Sequence, residues 1–216
     1  WDDIYYEYAA YAQRVEGLGT IAASLIYLTY GEQTATDPDS PDPIGTFNSY
    51  EVIPSLAYGT TIGEDLAIGL NLKFVYVNLA PAQYTQDQQK GAGSTFAADF
   101  GAVYRMFDGR LNLGAAMQHV GPRIAYIDEE QSDPLPRNLK VGATYWLADD
   151  EVNEFSVSAE YNKSLVIIED IPNPAVGVIL NVGAEYEYYD LLALRAGYVY
   201  DEDGEVKDFA FGAGIK

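Results

Sequence analysis

The sequence predicts an all-β protein, an antiparallel barrel that crosses a membrane. Three observations predict it. Runs of about ten residues alternate apolar with small or polar side chains, which is how a tilted membrane strand is written. The links between runs alternate long with short: long near 31–46, 80–94, 120–137, 166–176 and 200–208, short near 15–17, 60–65, 107–110, 148–154 and 189–191. Tyrosine is unusually common, with 19 in 216 residues. Its ring suits strands and the two faces of a bilayer, where the hydroxyl can sit in water.

The strands follow in order near 4–14, 18–30, 47–59, 66–79, 95–106, 111–120, 138–147, 154–165, 177–188, 192–200 and 208–216. The fourth shows the logic. Leu66, Ile68, Leu70, Leu72, Phe74 and Tyr76 share one face, and Ala67, Gly69, Asn71, Lys73 and Val75 share the other. Twelve residues at roughly 3.3 Å each, tilted near 45°, span about 28 Å, close to the hydrocarbon thickness. In the fifth, Phe96, Ala98, Phe100, Ala102, Tyr104 and Met106 oppose Ala97, Asp99, Gly101 and Arg105. In the seventh, Leu139, Val141, Ala143, Tyr145 and Leu147 oppose Lys140, Gly142, Thr144 and Trp146. The eighth sets Phe155, Val157, Ala159 and Tyr161 against Ser156, Ser158, Glu160 and Asn162. The ninth sets Val178, Leu180, Val182, Ala184, Tyr186 and Tyr188 against Asn181, Gly183, Glu185 and Glu187. Charge and glycine on the second face suit a wall that meets water, a plug or inward-folded loops. A soluble sandwich is the alternative, but its strands average five or six residues and its links need not alternate. No linker divides the chain, so residues 1–216 are expected to form one barrel domain.

Composition narrows the function. The net charge is −21, from 33 acids and 12 bases, which argues against nucleic acid and against docking on anionic headgroups. There is no cysteine, hence no disulfide and no thiolate metal site. No run of 18 apolar residues exists to make a membrane helix. Single-chain bacterial barrels use even strand numbers, so an odd count of about eleven suggests either that strands are missing at the ends or that one run is divided wrongly.

Catalysis has little to work with, and no enzyme activity is expected. The one histidine, His119, ends a predicted strand. Asp128 and Asp133 follow it, but no nucleophile elbow exists. Asp37-Pro-Asp39-Ser-Pro-Asp42 and Asp201-Glu-Asp203-Gly204 faintly match oxygen-ligand calcium loops, without EF-hand spacing. Asp201 and Asp203 are the candidate calcium ligands, and no cofactor is expected. The segment 120–138 stands apart. Two prolines bracket Leu135, and Ile124, Tyr126 and Ile127 make it too apolar for a solvated loop. Two readings stay open: a loop that folds into the mouth or docks a partner, and a loop that packs on its own rim.

Several segments resemble the PorV/PorQ family of outer-membrane barrels. They are Gly69-Leu-Asn-Leu-Lys-Phe-Val-Tyr-Val-Asn-Leu-Ala-Pro81, Lys90-Gly-Ala-Gly-Ser-Thr-Phe96, Val120-Gly-Pro-Arg-Ile-Ala-Tyr-Ile-Asp128, Asp133-Pro-Leu-Pro-Arg-Asn-Leu-Lys-Val-Gly142 and Asn162-Lys-Ser-Leu165. The resemblance implies a barrel similar to the fatty-acid transporter FadL, with about 14 strands in the full protein and about 11 here. It implies a bacterial outer-membrane location, in Bacteroidota and their relatives, with the long loops extracellular. It implies a role in type IX secretion: binding the C-terminal signal domain of secreted cargo, association with the SprA/Sov translocon, and transfer to the surface attachment machinery. On this reading Arg123, Ile124, Tyr126, Leu135 and Arg137 are the candidate partner contacts. His119 stands where the family pattern has Asn. Two alternatives are a FadL-like channel for hydrophobic small molecules and a structural surface barrel in a multi-protein assembly.

Overall fold

The computed structural model describes residues 3–37, 40–84, 91–126, 132–166 and 177–215. Eleven strands follow one another: β1 (Tyr5–Val15), β2 (Gly19–Asp37), β3 (Ser40–Ile62), β4 (Leu66–Ala80), β5 (Gly91–Met106), β6 (Leu111–Val120), β7 (Asn138–Asp149), β8 (Asn153–Ser164), β9 (Val178–Tyr188), β10 (Leu192–Asp201) and β11 (Val206–Ile215). A short 3-10 turn, η1 (Ala82–Tyr84), follows β4. The strand order in the sheet is sequential, β1 to β11. The β1–β2, β2–β3, β6–β7, β7–β8, β8–β9, β9–β10 and β10–β11 ladders are antiparallel. All eleven predicted strands are present.

The short links are tight turns. Between β5 and β6, Asp108 and Gly109 have φ of 55° and 88°, and Arg110 N–H closes the turn on the Phe107 carbonyl. An Asp-Gly pair with positive φ is what a two-residue hairpin turn requires.

Two boundaries depart from the sequence expectation. The link 31–46 is not a loop, because β2 runs to Asp37 and β3 starts at Ser40. These residues are small and polar, so apolar alternation fades while the backbone ladder continues. Strand β5 starts at Gly91, before the expected 95. Its first residues, two glycines and a threonine on one face, give no apolar signal either. The link 166–176, apart from Val166, and Asp128 lie outside the described residues.

Alternation decides what each face meets. The apolar rows are the exposed ones: Leu72 is 53% exposed, Phe96 68% and Val182 52%. Among the described residues no large side chain is fully buried. The Leu, Val and Phe rows therefore do not meet one another in a dry core. A soluble domain would expose patches this large only at a cost that lipid removes.

The chain divides into two compact units, each described by itself. The first comprises Trp1–Gly59, Leu70–Asp99 and His119–Leu135. On its apolar face a ladder of rings crosses four strands. Tyr5, Tyr27, Tyr50 and Tyr76 follow one another with centroids 6.2, 6.0 and 6.1 Å apart. Phe74 and Phe96 pair beside it at 5.2 Å. Such a girdle marks the level where acyl chains give way to headgroups. The second unit comprises Thr60–Gly69, Phe100–Gln118 and Pro136–Lys216. Gly114 pairs with Gly142, and Gly183 pairs with Gly197, leaving a hollow of about 850 Å3 bordered by Lys140, Glu160, Asn112 and Ala116.

Candidate loop site and inner polar network

The face of β5 opposite Phe96 is covered at its start. Gly91, Gly93, Thr95 and Ala97 are all buried. They share parity with Asp99, so this is the polar, inward face. What covers it is the segment after β6. Ala92 N–H donates to the Tyr126 carbonyl at 3.2 Å, and Thr95 Oγ1 donates to the Pro122 carbonyl at 3.3 Å. A Cβ on Gly93 would collide with the Ala125 carbonyl, and one on Gly121 with the Phe96 carbonyl. Both positions need glycine because two backbones meet there. The segment thus folds inward onto its own wall.

It is stapled to itself as well. Ile124 and Asp133 form a two-residue antiparallel bridge, with both N–H to carbonyl distances 2.8 Å. Arg123 Nε donates to the Ser132 carbonyl at 2.8 Å and to Ser132 Oγ at 3.1 Å. Ile124 is 4% exposed and Leu135 7%. These two are therefore packing residues here, not exposed contacts, because each fills space between the loop and the wall. Arg123 stays exposed and Tyr126 is half-buried. Burial, then the Asp133 and Glu51 carboxylates, raise the Tyr126 phenol above its ordinary pKa. It stays a neutral hydroxyl that can donate or accept.

The root of the loop is held by charge. His119 has φ of 57°, a conformation that Asn, Asp and His tolerate better than most residues. Its backbone N–H donates to Asp99 Oδ1 at 2.9 Å. Asp99 Oδ2 meets Lys73 Nζ at 2.6 Å and accepts from Asn71 Nδ2 at 3.1 Å. Lys73 Nζ lies 3.3 Å from His119 Nδ1. The network is half-hidden, satisfied on every side, and fixes the turn that sends the chain inward.

The remaining candidates lie in the second unit. Arg137 is half-buried, its carbonyl accepts from Leu165 N–H at 2.8 Å, and its Nε has no hydrogen-bond partner. Asp201 Oδ1 accepts the Gly204 N–H at 2.9 Å, and Asp203 Oδ2 accepts the Gly177 N–H. Asp201 caps its own turn, and Asp203 ties that turn to the residue before β9. Among the described residues no three His, Cys, Asp or Glu side chains gather as a metal site would require. Arg195 pairs with Glu185 and reaches Glu187 at 3.9 Å.

Sequence reasoning singled out the loop, but not Asp99, Asn71 or the two glycines. The available signal was the polar face of the strands, read as lumenal but not as paired.

These features coincide with a family match. The model of the type IX secretion system protein PorV matches residues 1–172. This chain belongs to the PorV family. It is an outer-membrane β-barrel protein of the type IX secretion system, and the docked loop falls wholly within the matched region. Among solved structures, the toluene transporter TbuX of Ralstonia pickettii is similar at 14% identity. That match covers 96% of this chain and 71% of that one, with a TM-score of 0.49. No curated protein matches the chain.

Proposed function

We propose that this PorV-family barrel binds the C-terminal signal domain of secreted cargo and carries it from the SprA/Sov-type translocon to the surface attachment machinery. The long-loop end faces outside the cell in this reading. The role is that of a carrier, without a catalytic step. The observation that supports it most is the docking of residues 121–126 and 132–135, which are tied to β5 and to each other and keep Arg123 exposed. Ile124 and Leu135 set the shape of that surface, Arg123 and Tyr126 supply contacts on it, and Arg137 of the second unit is a further contact candidate. Contacts presented from fixed backbone lose little entropy on binding.

The test is a pull-down from native outer membranes with charge reversal at Arg123 or Arg137. Wild type should retain secreted proteins carrying C-terminal β-domains, and each reversal should lower retention at least about fivefold, the scale of a lost charge-assisted contact. Equal retention by both variants would remove these arginines from the interface. A small-molecule conduit is the second reading, and the Gly- and Ala-lined hollow of the second unit favours it. Lipid or apolar solute in the purified barrel would support it.

A further inference from the structure

We propose that the lipid-facing side of β8 to β11, at its long-link end, holds the phosphates of anionic lipid headgroups through Lys163 and Lys207. The inference goes beyond cargo binding and does not depend on it. The ladders fix which side chains share a face. Val141, Tyr161, Leu180, Tyr200 and Lys207 stand in one row across β7 to β11. Leu139, Lys163 and Val178 stand in the next row, toward the long links. Both rows lie on the side that carries the exposed Val182 and Phe211.

Within these ladders Lys163 and Lys207 are the only charged residues on that side. The ladder acids, from Asp149 and Glu154 to Asp201 and Asp208, stand on the opposite side, as do Lys140 and Arg195. Net charge hides this arrangement. A chain of net charge −21 should repel anionic lipid. Register turns the ladder acids away from the bilayer and two cations toward it.

Position selects the headgroup layer. Tyr161 and Tyr200 share the Lys207 row, and such rings sit where acyl chains give way to headgroups. From Asn153 at the short-turn end to Lys163, a strand rising roughly 3.3 Å per residue runs about 33 Å, or about 23 Å of depth at a tilt near 45°. That matches the apolar band of an outer-membrane barrel. A lysine at this height lays its stem on the apolar wall and puts its ammonium among the headgroups. Lys207 Nζ stands over the Tyr200 ring, 4.9 Å from its centroid. The ring orients the ammonium and leaves N–H donors for an oxyanion. Three strand spacings separate the two lysines, about 14 Å, so each meets its own phosphate. The apolar rows beneath put acyl chains under both, so these phosphates belong to lipid. Net-negative headgroups fit best, because a zwitterionic one already pairs its phosphate with its own cation.

Native mass spectrometry of the whole protein, released from nanodiscs of equal parts phosphatidylglycerol and phosphatidylcholine, tests this. The wild type should retain phosphatidylglycerol over phosphatidylcholine at least about fivefold, the scale of one lysine's attraction for an anionic headgroup. Lys163→Gln with Lys207→Gln should abolish the preference, and either change alone should lower it at least about twofold. Lys163→Arg with Lys207→Arg should keep it. So should Lys140→Gln, which removes a cation from the opposite side. Raising salt from about 50 to about 500 mM before release should weaken the preference. Equal retention of the two lipids by the wild type overturns the proposal. A preference that survives in the double glutamine variant also overturns it, as does one that Lys140→Gln lowers equally.

Discussion

Single side chains carry two decisions here, where the loop goes and what holds its root. Gly93 and Gly121 let the segment after β6 lie against β5, and neither has a positive φ that would itself demand glycine. Substitution thus tests docking, not strand geometry. Gly93→Ala should lift Ala125 off the wall at a cost of about 1–3 kcal/mol, seen as faster proteolysis within 121–126 in an otherwise intact barrel. Protection equal to wild type would show that the contact is not tight. Asp99→Ala should free both the Lys73 ammonium and the His119 N–H. Losing charge-assisted bonds of this kind costs about 1.5–3 kcal/mol, read as a lower urea midpoint for the folded barrel. None of this was legible in the sequence. Composition marks Lys73 and Asp99 as lumenal, but their pairing depends on register, and a backbone approach leaves no trace except glycine itself.

At the scale of elements, the strands were legible because membrane strands must alternate. The Leu180, Asn181, Val182 and Gly183 run shows it most plainly, with each residue on the face its chemistry requires. Legibility ended where lipid ends. The ends of β2 and β3 run past the tyrosine ladder in small and polar residues that do not alternate, and only the backbone ladder reveals them. The tyrosine ladder marks that boundary. Tyr50 is its middle member, touching Tyr27 and Tyr76. Tyr50→Leu keeps apolar bulk and loses two ring pairs worth about 0.5–1.5 kcal/mol each, a loss that unfolding in bilayers would register. The β7–β8 turn gives a pH prediction. Asp150 accepts N–H bonds from Val152 and Asn153, both at 2.9 Å, which hold its carboxyl below the ordinary 3.8. A depressed folded value stabilises the turn above pH 3.8, and the effect is lost as pH falls through the lowered value. Asp150→Asn should remove that acid dependence from the turn's amide protection, and an unchanged acid limb would assign it elsewhere.

For the whole molecule, the fold class, the family resemblance and the loop were all readable in the sequence, and the family match bears out the resemblance. Cargo choice stayed illegible, because it depends on loops rather than on alternation. The account requires apolar rows against acyl chains and polar rows against an enclosed aqueous side. A cysteine-free chain makes this directly measurable. Single cysteines placed along β9 at Leu180, Asn181, Val182 and Gly183, spin-labelled in bilayers, report contact with lipid-soluble oxygen against a water-soluble relaxer. Oxygen contact should be high at 180 and 182 and low at 181 and 183. Uniform access to the water-soluble relaxer along all four, or the opposite alternation, would contradict the membrane assignment and the secretion role built on it.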